Sequence, residues 1–401
     1  MHCTRQITED IYYVGGNDYK TDLFENVLNI HNGVTYNSYV ILDEKTCLLD
    51  TADQVISRLF LENVEHVLNG RKLDYLVVHH MEPDHCYNIK EILLRYPEVK
   101  IVGNAKTFNF LHNFFPTLNI EEQKVVVNDL DTLNLGKHTL HFYFTPMVHW
   151  PEVMMSFEES EKILFSADAF GTFGTLNGNL FDDEINFERD YLSDARMYYS
   201  NIVGKYGLQV VSAFKKLPVS EIKMICPLHG PVLRSNLSYL IDKYQHWATY
   251  TPEEKGVLIV FGSMYGDNLE AAEILASKLS QKGVKNIKVF DAAKTDKDLL
   301  VSESFRVSNL VIISPTYNMT IYPPIDEYIT DFMRMMLANR TVTVIGNGSW
   351  APVVGKLIKD KLATCKGFTY TPTDLTINSS LTEENVKVID TIADEIKETL
   401  N

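Results

Sequence analysis

Residues 80–85 read His-Met-Glu-Pro-Asp-His and follow, after His79, on the apolar run Tyr75-Leu76-Val77-Val78. Four side chains able to bind a metal, His80, Glu82, Asp84 and His85, are packed into that segment. An extended run ending this way carries imidazoles and carboxylates to the mouth of a sheet, where they converge on one or two cations. The alternative is a solvated His/Asp/Glu turn, and the rest of the chain weighs against it. A strand pattern over 139–145 runs into His149, one over 162–165 ends at Asp168, and one over 222–225 ends in the Gly-containing loop of His229. A lone His or Asp at a strand end is usually a turn or cap residue. Three recurrences behind a dense primary cluster are not independent accidents.

The candidate ligand set is therefore four imidazoles (His80, His85, His149, His229) and three carboxylates (Glu82, Asp84, Asp168), with no thiolate. Imidazole plus carboxylate is the ligand chemistry of non-haem iron, in which anionic oxygens stabilise the oxidised metal and open positions accept a diatomic ligand. Affinity alone leaves zinc and manganese open. His79 precedes His80 in an extended stretch and points to the other side, which makes it a supporting residue rather than a ligand. Cys86 and Cys226 lie beside ligand positions but read as small packing residues.

Several elements must position these groups. The first fifty residues alternate apolar and polar positions between Gly-Gly, Asn-Gly and Asp-Glu-Lys turns, an antiparallel meander. A helix is predicted over 54–68, with Val55, Leu59, Leu61, Val64 and Leu68 as its stripe, and the 73–78 strand then delivers the metal segment. Strand and helix alternate again through 89–114. Around 249–256 a polar stretch containing Pro and Gly marks a boundary, giving domains 1–250 and 251–401. Beyond it, strands at 257–261, 288–290, 310–313 and 342–345 alternate with helices at 268–282, 326–338 and 355–361, and a docking helix closes the chain at 383–400. That order predicts a parallel sheet covered on both faces.

The first strand of this second half runs into Ser263, Met264, Tyr265, Gly266, Asp267 and Asn268 and then a helix. Exposed backbone N–H groups and the positive end of the helix dipole suit a phosphate there. Two later strand ends add Pro315, Thr316, Tyr317 and Asn318, and then Asn347, Gly348, Ser349 and Trp350. They bring aromatic and amide groups to the carboxyl edge where open α/β sheets bind ligands. A flavin ring needs such faces, with donors and acceptors at its rim.

Lys plus Arg number 37 against 53 Asp plus Glu, a formal net charge of −16, which argues against a nucleic-acid or anionic-membrane surface. The five cysteines are scattered without a C-x-x-C pair, as in a reducing cytoplasm, and no leader or membrane-spanning apolar stretch is apparent.

Over residues 1–250 the order of ligands resembles the metallo-β-lactamase superfamily, with one departure: hydrolases of that superfamily usually carry His where this chain has Glu82. The last 150 residues resemble flavodoxin, although Tyr265 and Asn268 stand where flavodoxins often have Thr. Together, in this order, the chain resembles the flavodiiron proteins. The resemblance implies an αββα sandwich followed by a flavodoxin-like doubly wound parallel sheet. It implies one iron on His80, Glu82 and His149, a second on Asp84, His85 and His229, Asp168 bridging them, and FMN on the three loops. It further implies reduction of O2 to water or NO to N2O, an external donor such as rubredoxin or reduced deazaflavin, and a head-to-tail homodimer or dimer of dimers. Two other classes make different predictions: a binuclear zinc hydrolase carrying a flavin domain, against which Glu82 speaks, and a one-electron flavin carrier, against which the complete ligand set speaks.

Overall fold

The computed structural model describes residues 2–400. The chain divides into two compact units, the first ending at Tyr244 and the second beginning at Gln245, so the division falls inside the helix Leu237–Ala248.

In the first unit, Ile11–Tyr13, Tyr39–Leu42 and Thr46–Leu49 pair antiparallel as the expected meander. Arg5–Gln6 adds antiparallel to Ile11–Tyr13, and Tyr75–Val77, Lys100–Gly103 and Lys124–Val126 extend the other edge in parallel, making a seven-stranded sheet. Thr132–Asn134, Thr139–Phe144, Met154–Glu158, Ile163–Phe165 and Met224–Cys226 form a second sheet. Period-two alternation turns Tyr39, Ile41, Leu49 and Val77 of one sheet and Phe142, Met154 and Phe165 of the other into one shared core. Val40, Leu48 and Leu76 are buried on the opposite face, where helix Ser57–Leu68 packs against the Tyr39–Leu42 strand. This is the αββα sandwich.

Two local departures have physical causes. The Asp53 side chain accepts from Val55 N and starts a 3-10 turn ahead of that helix, so the buried stripe runs Ile56, Phe60, Val64 and Val67 while Val55 is exposed. The stretch 36–42, which reads as one strand, breaks after Tyr36: Val34–Tyr36 pairs with Gly16–Asp18 instead of joining the large sheet. The break is held by Asn37, whose amide donates to the carbonyls of Pro227 (2.9 Å) and Gly230 (2.8 Å), and by Ser38, whose hydroxyl donates to Leu49 and Asp50 carbonyls. The interruption thus ties the meander to the loop of His229.

In the second unit the sheet order is Ile287–Asp291, Glu254–Phe261, Val307–Tyr317, Thr341–Asn347, then Thr369–Tyr370 and Leu375–Ile377 beside the last, all parallel. Taken in chain order that is 2-1-3-4-5, the flavodoxin-like doubly wound arrangement. Helices Asp267–Gln281 and Glu383–Thr399 share one face, where Ala271, Leu275, Ile389, Ile392 and Ile396 pack on Val257, Ile259 and Val311. Each isoleucine so buried contributes about 1.5–3 kcal/mol. The helix Lys297–Arg306 and the two short final strands carry too little periodicity to stand out in the sequence, and all three are present. Among the described residues no helix is long and apolar enough to cross a membrane.

Candidate metal centre and cofactor cavity

The metal segment begins where Tyr75–Val77 ends. Asp50, one strand away, accepts from His79 N (2.7 Å) and pairs with His79 Nδ1 (2.6 Å), while His79 Nε2 meets Ser156 Oγ (2.8 Å). His79 is thereby committed away from the cluster, as its alternation predicts. Asp84 and His85 do not lie in an extended loop. Pro83 opens a single helical turn, Pro83–Cys86, in which His85 N bonds Glu82 O at 2.9 Å, so the two side chains turn inward together. His149, Asp168 and His229 each follow a strand of the second sheet. Gly230, at φ +79°, lets the His229 loop close against Thr172, and a Cβ there would collide with the threonine methyl.

All seven candidate ligands are buried. His80, Glu82, His149 and Asp168 have their donor atoms within 4.8 Å of one another, and so do Asp84, His85 and His229. Asp168 reaches into both groups. Its Oδ2 lies 3.2 Å from His80 Nε2 and 3.1 Å from His149 Nε2, and its Oδ1 lies 3.1 Å from His85 Nε2 and 3.5 Å from His229 Nε2. Glu82 Oε2 sits 3.2 and 3.1 Å from the first two imidazoles, and Asp84 Oδ2 sits 3.2 and 3.4 Å from the second two. The other ring nitrogens point outward: His80 Nδ1 to Glu152 (2.7 Å) and His229 Nδ1 to the Thr35 carbonyl (2.6 Å).

The electrostatics follow from crowding three carboxylates and four imidazoles in a dry space. Burial alone depresses His80, His85 and His149, but the carboxylates override it: His85 and His149 are raised to about 9, and His80 well above the usual imidazole value. Burial likewise opposes ionisation of Asp168 and Glu82, yet the imidazoles hold both well below the ordinary carboxylate range. Both oxygens of Asp84 and Oδ1 of Asp168 are buried and accept no hydrogen bond. Unsatisfied anionic oxygens facing imidazole nitrogens are costly unless a cation lies between them. The donor set therefore fits two metal ions with a shared carboxylate.

In the second unit, strand-end loops enclose a cavity of about 310 Å³, the lower end of small-molecule sites. Its walls take in Ser263, Met264, Tyr265, Asp267 and Asn268 from the first loop, Pro315 to Asn318 from the second, and Asn347, Gly348, Ser349 and Trp350 from the third. Gly266 caps helix Asp267–Gln281 at φ +113° and does not line the cavity; its N–H donates to Ser263 Oγ at 3.0 Å. Asn268 is buried and braces the site, donating to Gly262 O (2.8 Å) and accepting from Asn347 (2.9 Å). Asn347 in turn clasps the backbone of Ser379, giving to its carbonyl and taking from its N–H. Tyr265 is 90% exposed and Trp350 71%. Two aromatic rings left open at the rim of a cavity lined by hydroxyls and amides fit a flat, partly apolar molecule with a polar tail.

Four contributors escape the sequence pattern. Ser379 and Met319 line the cavity. Glu152 backs His80, and Glu25, on the exposed tip of the hairpin Leu23–Phe24 and Leu28–Asn29, has its carboxyl turned toward Glu82, where partial desolvation, then a hydrogen bond and the like charge of Glu82, raise it to about 8. The one available signal was Glu152 itself, an acidic residue three positions past a candidate ligand in an otherwise apolar stretch.

Residues 34–230 match the model of the family described as ODP family beta lactamase. An uncharacterized protein of Methanocaldococcus jannaschii, MJ0732, is 30% identical over 88% of both chains. The anaerobic nitric oxide reductase flavorubredoxin of Klebsiella pneumoniae is 28% identical over 86% of this chain and 72% of its own. Among solved structures, rubredoxin oxygen:oxidoreductase from Desulfovibrio gigas superposes with a TM-score of 0.90 at 26% identity, covering 99% of this chain and 98% of that one. The flavodiiron protein from Giardia intestinalis superposes with a TM-score of 0.91 at 23% identity over 100% and 98%.

Proposed function

We propose that this chain, which belongs to the flavodiiron protein family, is an oxidoreductase that reduces O2 to water and/or NO to N2O at a non-haem di-iron site fed by FMN. The observation that carries the reading is Asp168, a single carboxylate with one oxygen in each ligand group. In this reading His80, Glu82 and His149 hold one iron, Asp84, His85 and His229 the other, and Asp168 bridges them. When bound, the two irons supply one electron each and FMN up to two, enough for the four that O2 takes on its way to water.

The protein's own part is positioning and charge. Nδ1–H of His80 donates to Glu152 and Nδ1–H of His229 to the Thr35 carbonyl, which fixes both tautomers with Nε2 facing the cluster. The backbone N–H groups of the 263–268 turn left free by the Gly266–Ser263 bond, with the start of helix Asp267–Gln281, would hold the FMN phosphate. Pro315 to Asn318 and Asn347 to Trp350, which line the cavity, would border the ring, with Trp350 and Tyr265 available as apolar cover. Electrons come from a rubredoxin-like protein or a reduced deazaflavin, and the protein works in the cytoplasm as a head-to-tail homodimer or a dimer of dimers.

The test is iron, zinc and flavin content of protein purified without oxygen from iron-replete cells, followed by turnover of O2 and NO with a reduced donor. Two irons and one FMN per chain, with consumption of at least one gas, is the expected result. Two zincs persisting under iron-rich growth would return the first unit to the hydrolase reading.

A further inference from the structure

The two ligand groups are chemically matched: each has two imidazoles, one carboxylate of its own and one oxygen of Asp168. What stands behind their imidazoles, however, differs. Behind His80 is Glu152, whose side chain is fully buried; its Oε1 accepts from His80 Nδ1 at 2.7 Å and from Met81 N at 2.9 Å. Its Oε2 is buried and has no hydrogen-bond partner among the described residues. Behind His229 is only the neutral Thr35 carbonyl, and His85 Nδ1 is buried without a partner.

Resting on the di-iron reading above, we infer that Glu152 is a positioning residue that makes the two metal positions unequal, placing a buried negative charge behind the His80/Glu82/His149 position alone. A buried charge is poorly screened, so it acts on the nearer metal more than on the farther one. The position backed by Glu152 retains the more highly charged ion. When an external reductant such as dithionite delivers electrons singly, the Asp84/His85/His229 iron takes the first, passing from Fe3+ to Fe2+, and the iron backed by Glu152 takes the second.

Glu152→Gln separates charge from shape. The amide oxygen still accepts from His80 and Met81, and the NH2 falls where Oε2 has no partner. Two measurements read the result: an anaerobic reductive titration followed by electron paramagnetic resonance, and titration of the metal-free protein with Co2+. In the wild type we expect two separated one-electron steps. In the variant the second, lower-potential step moves upward while the first stays in place, and one of the two Co2+ affinities falls about 10- to 100-fold. Glu152→Asp keeps the charge, so its second step remains low. The inference is overturned if both steps stay put or shift together, if both Co2+ affinities fall equally, or if Asp moves the second step as far as Gln does. A wild-type chain that binds fewer than two metal ions would instead sink the di-iron reading on which this one rests.

Discussion

In the first unit every candidate ligand is buried and several are steered by a partner behind them, whereas in the second unit the cavity is walled by loops and rimmed by exposed aromatics. The contrast follows from the ligands each would hold. A small multivalent cation brings charge and little surface, so its cage must be assembled and desolvated in advance, with orientation fixed by hydrogen bonds to the outer ring nitrogens. A flavin brings a large flat surface of its own. Its site needs only donors for the phosphate and an apolar rim that the ring will cover.

That contrast can be broken most forcefully at Asp168. Asp168→Ala removes an oxygen from both groups, and we expect metal analysis to show loss of both ions and no gas turnover, with FMN affinity by fluorescence titration unchanged. Weakened FMN binding in that variant would mean that the two halves are not separable. Glu82→His comes next: zinc content should rise at the expense of iron, and O2 and NO reduction should fall about 100-fold. Full reductase activity would remove the role given to Glu82.

A third prediction uses pH. With His85 and His149 raised to about 9 and His80 held well above the ordinary imidazole value by the carboxylates around it, the metal-free site holds protons that a metal must displace. Co2+ affinity should therefore climb as pH rises toward about 9 and flatten above it. The same linkage works in reverse on the metal-free chain. Imidazoles whose folded values are raised stabilise it fully below their unfolded value near 6.5, and that stability drains away as pH rises through about 9. Melts of metal-free protein at pH 7 and pH 9.5 check the sign. FMN affinity, held by backbone donors, should change little across the same window. The smallest effect is expected at Trp350: Trp350→Ala should weaken FMN binding about tenfold, the loss of one aromatic cover, and leave metal content as it was.

The convergence of the candidate ligands was legible because His, Asp and Glu at successive strand ends are rare unless they meet, and convergence is a property of sheet edges that periodicity reveals. Their local geometry was not. Nothing in the residues distinguishes a loop from the single helical turn that Pro83 starts, and the Asn37 break depends on carbonyls near residue 230 that only the folded chain brings within reach. The three loops that wall the second unit's cavity were legible through topology, since strand order fixes which turns share an edge. Ser379 was hidden because it enters through the backbone clasp of Asn347 after a two-residue and a three-residue strand too short to show a pattern. Glu152 offered only its place three residues past a candidate ligand, because a supporting carboxylate has no spacing rule of its own, only a partner.

Gly230 carries a consequence of a different kind. Its backbone is left-handed and its missing side chain is the space that the Thr172 methyl fills. Trimming Thr172 to Ser would open room but leave the cost of the left-handed backbone, roughly 1–2 kcal/mol. Over evolutionary time the two positions are therefore locked in an order: 172 is free to shrink first, while 230 is barred from growing until it has. A residue with no side chain thus sets the route by which the loop carrying His229 can vary, through geometry rather than chemistry.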